Sequence, residues 1–286
     1  FLLGRTGSGK TTWCNEQILH MLREDPQGPP IVYLVPEQMT FQSEYRIVQS
    51  PDVKGMIRAQ VFSFTRLAWR ILQEVGGISR FHIDQTGIHM LLRKVIEEHK
   101  SKFHVFGKSA EQFGFIEQME SMITEFKRYC VTPELLHEEI VRIGEDASIS
   151  EHEKMLAKKL TDILVVYRQL EGTLEGKYLD GEDYLQLLAE KIPSSSYIQK
   201  ADIFIDGFHS FTPQELEVLK ELLKHANSVT IALTADKPYD EEAPYDLHLF
   251  REPGTTYQRL RDIALEEGCE LEEPVLLKGT LRFQHA

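Results

Sequence analysis

Phe1-Leu2-Leu3-Gly4-Arg5-Thr6-Gly7-Ser8-Gly9-Lys10-Thr11 opens the chain. The apolar run leads without a break into Gly4–Thr11, which fits the phosphate-binding pattern G-x-x-x-x-G-K-[ST] at every fixed position. Glycine reaches backbone conformations closed to other residues, so successive N–H groups can turn inward around phosphate oxygens. In this pattern Lys10 reaches the β- and γ-phosphates of a nucleotide, and the Thr11 hydroxyl ligates Mg²⁺. A helix expected from about residue 11 to 22 adds the partial positive charge of its N-terminus. Gly4, Arg5, Thr6, Gly7, Ser8, Gly9, Lys10 and Thr11 are therefore the candidate ATP-binding residues. A chance glycine-rich turn would need neither the strand before, nor the helix after, nor both Lys10 and Thr11.

The sequence around this loop alternates strand and helix signals. Asp25-Pro26-Gln27-Gly28-Pro29-Pro30 bars regular structure, and Ile31–Val35 is the continuous apolar run of a buried parallel strand. Residues 40–49 read as a helix with Phe41, Tyr45 and Val48 on one face. Residues 56–64 read as a third strand, and Thr65 as the cap of a helix over 66–75 that Gly76-Gly77 stops. From about 83 to 191 nearly everything reads helical, over 85–100, 109–129, 133–144, 151–175 and 181–191, with Thr132 ahead of Pro133 as a strong start. Pro193-Ser194-Ser195-Ser196 reads as a linker. Strand grammar then returns in 202–208, followed by a Thr212–Glu215 capping box, a helix to about 226 and a strand over 228–234. An acidic, proline-bearing loop over 237–246, a helix over 255–267 and a strand over 274–277 close the chain. The expected organisation is α/β: a parallel-sheet nucleotide-binding domain over 1–80 and 196–286, split by an all-α insertion over 81–195.

Composition narrows the class. The 286 residues are 42% hydrophobic and 27% charged, as in ordinary globular chains of up to two domains. No run of about 18 apolar residues suggests a membrane span, and no signal segment is legible. The chain begins at Phe1, inside its first strand, and reads as a piece of a longer protein. Cys14, Cys130 and Cys269 are far apart, odd in number and outside any C-x-x-C pair, which favours reduced thiols and a cytoplasmic setting over a disulfide framework or zinc site. A net charge of −13 is the opposite of a free-standing nucleic-acid binder, so any DNA track is local or completed by another polypeptide.

A phosphate-binding loop is normally completed by an acid at the end of a neighbouring buried strand, which holds Mg²⁺ through water. Asp206, after Ile203-Phe204-Ile205, is the candidate; the plainer reading is a solvated acid at a strand end. The next residue is Gly207, where hydrolysing helicase motors of this build carry the Glu that orients the attacking water.

Gly4–Thr11, Val35-Pro36-Glu37-Gln38-Met39-Thr40-Phe41, Val61-Phe62-Ser63-Phe64-Thr65-Arg66-Leu67-Ala68 and Ile205-Asp206-Gly207-Phe208-His209-Ser210-Phe211-Thr212-Pro213 together resemble the N-terminal part of the B subunit of AddAB-type helicase–nucleases. Leu249-Phe250 with Thr255-Thr256-Tyr257 adds to the likeness, which runs the length of the chain. The resemblance implies a RecA-like, superfamily 1 helicase-like P-loop fold with ATP and Mg²⁺ as ligands. It implies a degenerate motor in a heterodimer with an A subunit that drives translocation, acting on single- and double-stranded DNA in double-strand break repair, with recognition of the Chi sequence. It places the nuclease domain and an iron–sulfur cluster outside this stretch. Phe62, Phe64, Arg66 and Arg70 lie where such helicases contact single-stranded DNA, which stacking and phosphate contacts would suit; the equal alternative is that the phenylalanines fill the strand core and the arginines sit on a solvated helix face. Lys127-Arg128 and Lys158-Lys159 are equal signs of a DNA track on the helical insertion.

Other constellations read as structural. His82, His89, His99 and His104 have no carboxylates at metal spacing, and Trp13, Trp69 and Phe113 fall on apolar faces as core residues. Two rivals remain: a small-molecule or nucleotide P-loop kinase, and a non-hydrolysing module that scaffolds a partner or grips DNA.

Overall fold

The computed structural model describes residues 1–50, 57–77, 81–145, 150–242 and 244–279. In chain order its elements are β1 (Leu2–Gly4), α1 (Lys10–Glu24), β2 (Ile31–Leu34), α2 (Thr40–Val48), β3 (Ala59–Phe62), α3 (Phe64–Val75), β4 (Phe81–His82), α4 (Gln85–His99), α5 (Phe115–Arg128), α6 (Pro133–Glu145), α7 (Glu151–Leu174), β5 (Tyr178–Leu179), α8 (Asp183–Lys191), α9 (Ser196–Gln199), β6 (Asp202–Ile205), α10 (Pro213–His225), β7 (Ser228–Leu233), α11 (Arg251–Glu266) and β8 (Val275–Leu277). Two compact units contain them: Phe1–Gly76 with Leu185–Ala286, and Gly77–Tyr184. Among the described residues no helix is long and apolar enough to cross a membrane.

The first unit is α/β. Its strands pair in the order β3-β2-β6-β7-β1-β8, every pairing parallel. All of β1, β2 and β6 is buried, as strands covered on both faces must be. Cys14, Ile18 and Leu22 of α1 pack against Leu2, Ile31, Tyr33 and Phe204 from three of those strands. Between β2 and β6 the register sets Tyr33 beside Phe204 and Leu34 beside Ile205, and Asp206 continues the ladder by donating its N–H to Leu34 O at 3.1 Å. The C-terminal ends of the parallel strands thus deliver the phosphate-loop segment and Asp206 to one edge of the sheet, where α/β proteins keep their crevices. The strand carrying Asp206 is not next to β1; β7 lies between them.

The second unit is mainly helical. Leu92, Val95 and Ile96 of α4, Met119 and Ile123 of α5 and Leu164, Tyr167 and Leu170 of α7 form its core. One buried carboxylate fastens its loop: Asp162 accepts the N–H groups of His104, Val105 and Phe106 at 2.7, 2.8 and 2.9 Å. A two-strand parallel ladder, Phe81–His82 with Tyr178–Leu179, is too short to have been legible in the sequence.

Several expectations are corrected. The helix expected over 109–129 is a 3-10 turn at Ser109–Glu111 and then α5, because Gly114 takes a left-handed φ of 87° between them. Phe113, expected in the core, is fully exposed beside that break. Helix α3 is capped by Ser63, whose Oγ accepts the Arg66 N–H at 3.3 Å, so the third strand stops at Phe62 and Thr65 is not the cap. That strand starts at Ala59 rather than near 56: Arg58 turns back to donate to Pro29 O, Met21 O and Asp25 O, and Met56 lies outside the described residues. On α2 the buried face is Thr40, Ser43 and Ile47, whose two small side chains allow close packing, while Phe41, Tyr45 and Val48 face outward. The 193–196 linker is a 3-10 turn running into α9, capped by Ser195. Helix α11 begins at Arg251, four residues before the expected start, with Pro253 tolerated in its first turn. Helix α8 begins at Asp183 because Asp180 Oδ1 accepts the N–H groups of Glu182 and Asp183.

The expected basic track at Lys127-Arg128 is also corrected. The Lys127 side chain is only 8% exposed, and its ammonium lies 2.7 Å from Asp180, 3.0 Å from Asp183 and 2.8 Å from Glu171. Arg128 pairs with Glu182 at 2.9 Å. Both cations are committed within their own unit.

Candidate nucleotide site

Gly7 and Gly9 take φ of 82° and 97°, the left-handed region that side chains make costly, and so the segment curls into a loop ahead of α1. A side chain at Gly4 would collide with Ser8 Oγ, which explains a third glycine. Ser8 is buried, and its Oγ has no hydrogen-bond partner among the described residues. Helix α1 starts at Lys10 with Gly9 at its N-cap, a residue with no side chain to occupy the helix's first N–H groups. Those donors and the dipole behind them favour an anion.

Lys10 folds under the loop. Its Nζ donates to Gly4 O at 2.8 Å and to Arg5 O at 3.1 Å, bracing the curl from inside. Burial holds its ammonium below the ordinary lysine value, and the Asp206 charge opposes that shift. An arriving anion would offset the desolvation that lowers it. Arg5, at the loop's rim, lies 3.9 Å from Asp236 just beyond β7, with its guanidinium 5.7 Å from the centre of the Phe250 ring.

Thr11 and Asp206, 195 positions apart, meet here: Thr11 Oγ1 donates to Asp206 Oδ2 at 2.6 Å. Asp206 is 2% exposed, so it is no solvated strand-end acid. A second donor converges on the same oxygen, the Tyr33 hydroxyl at 3.0 Å. Burial, then the nearby Asp206 charge, pushes the Tyr33 phenol far above its ordinary value, so it stays protonated as a donor. The same two causes push the Cys14 thiol up, leaving it an inert core residue. Sequence reasoning missed Tyr33; the signal was a hydroxyl inside the otherwise aliphatic run Ile31–Val35, since a buried tyrosine needs a partner. It also missed the Arg5–Asp236 approach, which no spacing announces.

Gly207 follows Asp206 with φ of 87°. A β-carbon there would lie 2.7 Å from Met39 Sδ and 3.0 Å from Pro36 Cδ. The strings Val35-Pro36-Glu37-Gln38-Met39 and Asp206-Gly207-Phe208 are thus two sides of one contact. Phe208 and Phe211 in turn pack on Phe64, at ring-centre distances of 5.5 and 6.4 Å.

The residues expected to meet DNA separate into two groups. Phe64 is buried in that aromatic cluster. Phe62, Arg66 and Arg70 line a surface cavity of about 620 Å³ with Glu44, Val48 and Trp69. Arg66 Nη1 is held at 3.1 Å by Glu44, and the Arg70 guanidinium lies 4.3 Å from the centre of the Tyr197 ring.

The arrangement combines inward backbone donors, a desolvated cation and a buried hydroxyl–carboxylate pair. A polyphosphate with a divalent cation matches these donor types: amides and ammonium for phosphate, hard oxygens for the metal.

Comparison with known proteins agrees with the sequence strings. A family model described as ADDB, N-terminal matches residues 1–286. The chain is 54% identical over 284 residues to the B subunit of the ATP-dependent helicase/deoxyribonuclease of Geobacillus kaustophilus (strain HTA426), covering 99% of this chain and 24% of that protein. It is 53% identical over 285 residues to the B subunit of the same name in Anoxybacillus flavithermus (strain DSM 21510 / WK1), covering 100% of this chain and 24% of the relative. For the counterpart in Geobacillus thermodenitrificans (strain NG80-2) the identity is 52%, again over 99% of this chain and 24% of the relative. The chain therefore spans about a quarter of the length of the curated relatives it matches, and it belongs to the family of ADDB N-terminal regions.

Proposed function

We propose that this chain is the ATP-binding, helicase-like N-terminal part of a helicase–nuclease subunit that processes DNA double-strand breaks for recombinational repair. The observation that carries the reading is the 2.6 Å contact between Thr11 and Asp206 beside a glycine loop braced by Lys10. The loop amides and Lys10 bind the β- and γ-phosphates; Thr11 and Asp206 hold Mg²⁺ directly and through water. Bound Mg²⁺ supplies charge neutralisation for the phosphates. The strand order, with β7 between the loop strand and the acid strand, supports a RecA-like arrangement, and the mainly helical unit Gly77–Tyr184 is read as the insertion expected over 81–195.

In this reading the site holds nucleotide without driving translocation. Gly207 can do no acid–base chemistry, and a side chain in its place would meet Met39 Sδ and Pro36 Cδ from a left-handed, strained backbone. Translocation falls to a partner A subunit in a heterodimer. Phe62, Arg66 and Arg70 touch single-stranded DNA along their cavity; Phe64 supports them from the core. The iron–sulfur cluster and nuclease chemistry lie in the remainder of the full-length protein.

Equilibrium titration with labelled ATP tests the first half: binding by the unaltered chain and its loss in Lys10→Ala are expected, and equal binding by both would sink the reading. Steady-state phosphate release tests the second. A DNA-stimulated rate of about 10 per second, ordinary for an enzyme, would show that another residue replaces the missing Glu.

A further inference from the structure

We infer that Tyr33 is a positioning residue for Asp206: its buried hydroxyl occupies one lone pair of Oδ2 and so fixes which carboxylate oxygen is left to face Mg²⁺ or its water. The inference rests on the nucleotide reading above and adds to it a residue outside the loop and acid segments.

The geometry carries it. An ionised carboxylate only accepts, with roughly two acceptor sites per oxygen. Both donors, Thr11 Oγ1 at 2.6 Å and Tyr33 OH at 3.0 Å, converge on Oδ2 and fill it. Among the described residues no donor is hydrogen-bonded to Oδ1, which is left for the cation side. Two donors on one oxygen also fix the carboxylate's rotation. Thr11 is itself a metal ligand in the phosphate-loop pattern, its oxygen turned to the metal and its proton to Asp206, whereas the Tyr33 hydroxyl serves the carboxylate alone.

The position of Tyr33 suits this role rather than packing alone. It lies on β2 beside the acid-bearing strand, in register with Phe204, and its ring is fully buried with Cys14 and Ile18 of α1. Its neighbours Ile31, Val32, Leu34 and Val35 fill the core without a polar atom. A phenylalanine would fill the same volume, so the hydroxyl contributes only the bond to Asp206. Outer-shell donors of this kind orient metal ligands, and removing them typically costs 10–100-fold in metal affinity.

The test compares Tyr33→Phe and Tyr33→4-fluorophenylalanine, the second filling the hydroxyl's volume without a donor. ATP affinity is titrated in Mg²⁺ and in EDTA, with circular dichroism and melting curves to check the fold. The expected result is a loss confined to the Mg²⁺ arm: the ratio of affinities with and without metal falls about tenfold in both variants. In an Asp206→Asn background the Tyr33→Phe change no longer moves that ratio. An unmoved ratio, or an equal loss in both buffers, would overturn the inference and leave Tyr33 as a core residue with a satisfied hydroxyl. Failure of the unaltered chain to bind ATP in either buffer would instead defeat the nucleotide reading, and this inference with it.

Discussion

A β-carbon built on Gly207 lies 2.7 Å from Met39 Sδ, so the residue after the buried acid and the segment after β2 exclude each other's growth. The φ of 87° adds a second obstacle that no rearrangement of Met39 removes. Gly207→Ala should therefore lower stability by about 1–3 kcal/mol, the cost of a side chain in a sparsely populated backbone region. Pairing it with Met39→Ala should recover only the contact part. Gly207→Glu should be at least as destabilising and should not produce DNA-stimulated phosphate release. Denaturant melts read the first two expectations. A motor-like rate in Gly207→Glu would show that the backbone adapts and that only the side chain was missing.

Lys127 gives a sharper stability prediction, because three carboxylates depend on it. Burial opposes its charge, but Asp180, Asp183 and Glu171 hold its ammonium well above the ordinary lysine value. Burial pushes Glu171 up in spite of Lys127. Lys127→Met removes the cation and leaves acids 14% and 22% exposed facing each other. The expected loss is about 3–5 kcal/mol, the range for breaking one side of a buried pair. Urea unfolding of the chain checks it; a loss below about 1 kcal/mol, the surface-pair range, would mean that the cluster is solvated.

Acid sensitivity should trace partly to Glu74. Burial alone would raise its pKa, but hydrogen bonds from Ser195 Oγ, Ser196 Oγ and the Tyr197 N–H, with the Arg70 charge, outweigh burial and hold it below the ordinary 4.5. A carboxylate depressed in the folded state contributes stability that is present above its unfolded value and disappears as pH falls through the folded one. Glu74→Gln should therefore lower the melting temperature at neutral pH, with the gap to the unaltered chain narrowing below about pH 4. Melting curves at stepped pH measure it, and a gap of constant size would assign the effect to packing.

The aromatic residues near the candidate DNA cavity should divide by burial. Phe64→Ala, opening a hole between Phe208 and Phe211, should cost about 3–5 kcal/mol. The outward-facing Phe41→Ser and Tyr45→Ser should stay within about 0.5 kcal/mol. Phe62→Ala, Arg66→Ala and Arg70→Ala should weaken single-stranded DNA binding, by about 1–3 kcal/mol for a stacked base lost at Phe62. Filter binding at fixed salt reads the last set; undiminished binding in all three would move the DNA contact elsewhere.

What the sequence revealed depended on how local the cause was. Runs such as Ile31–Leu34 and Asp202–Ile205 declare buried strands because every residue in them is apolar or ends the run, and the structure pairs them as neighbours. The Thr212–Glu215 capping box was legible for the same reason, both partners lying within one turn. Helix phase on α2 was not, because Thr40 and Ser43 share the buried face with Ile47 while Phe41, Tyr45 and Val48 stay outside. Lys127 looked like surface charge because its three acids lie 44 to 56 positions away. In the candidate site, the loop and the acid were each legible alone. Their contact, and Tyr33 beneath it, required strand order.

That order has a metric consequence. With β7 between β1 and β6, the loop-bearing strand and the acid-bearing strand stand two inter-strand spacings apart, about 10 Å. Thr11, at the start of α1, and Asp206, beyond the end of β6, nevertheless meet at 2.6 Å over that distance. The spacing of the two strands is set by the backbone ladders through β7 rather than by any side chain.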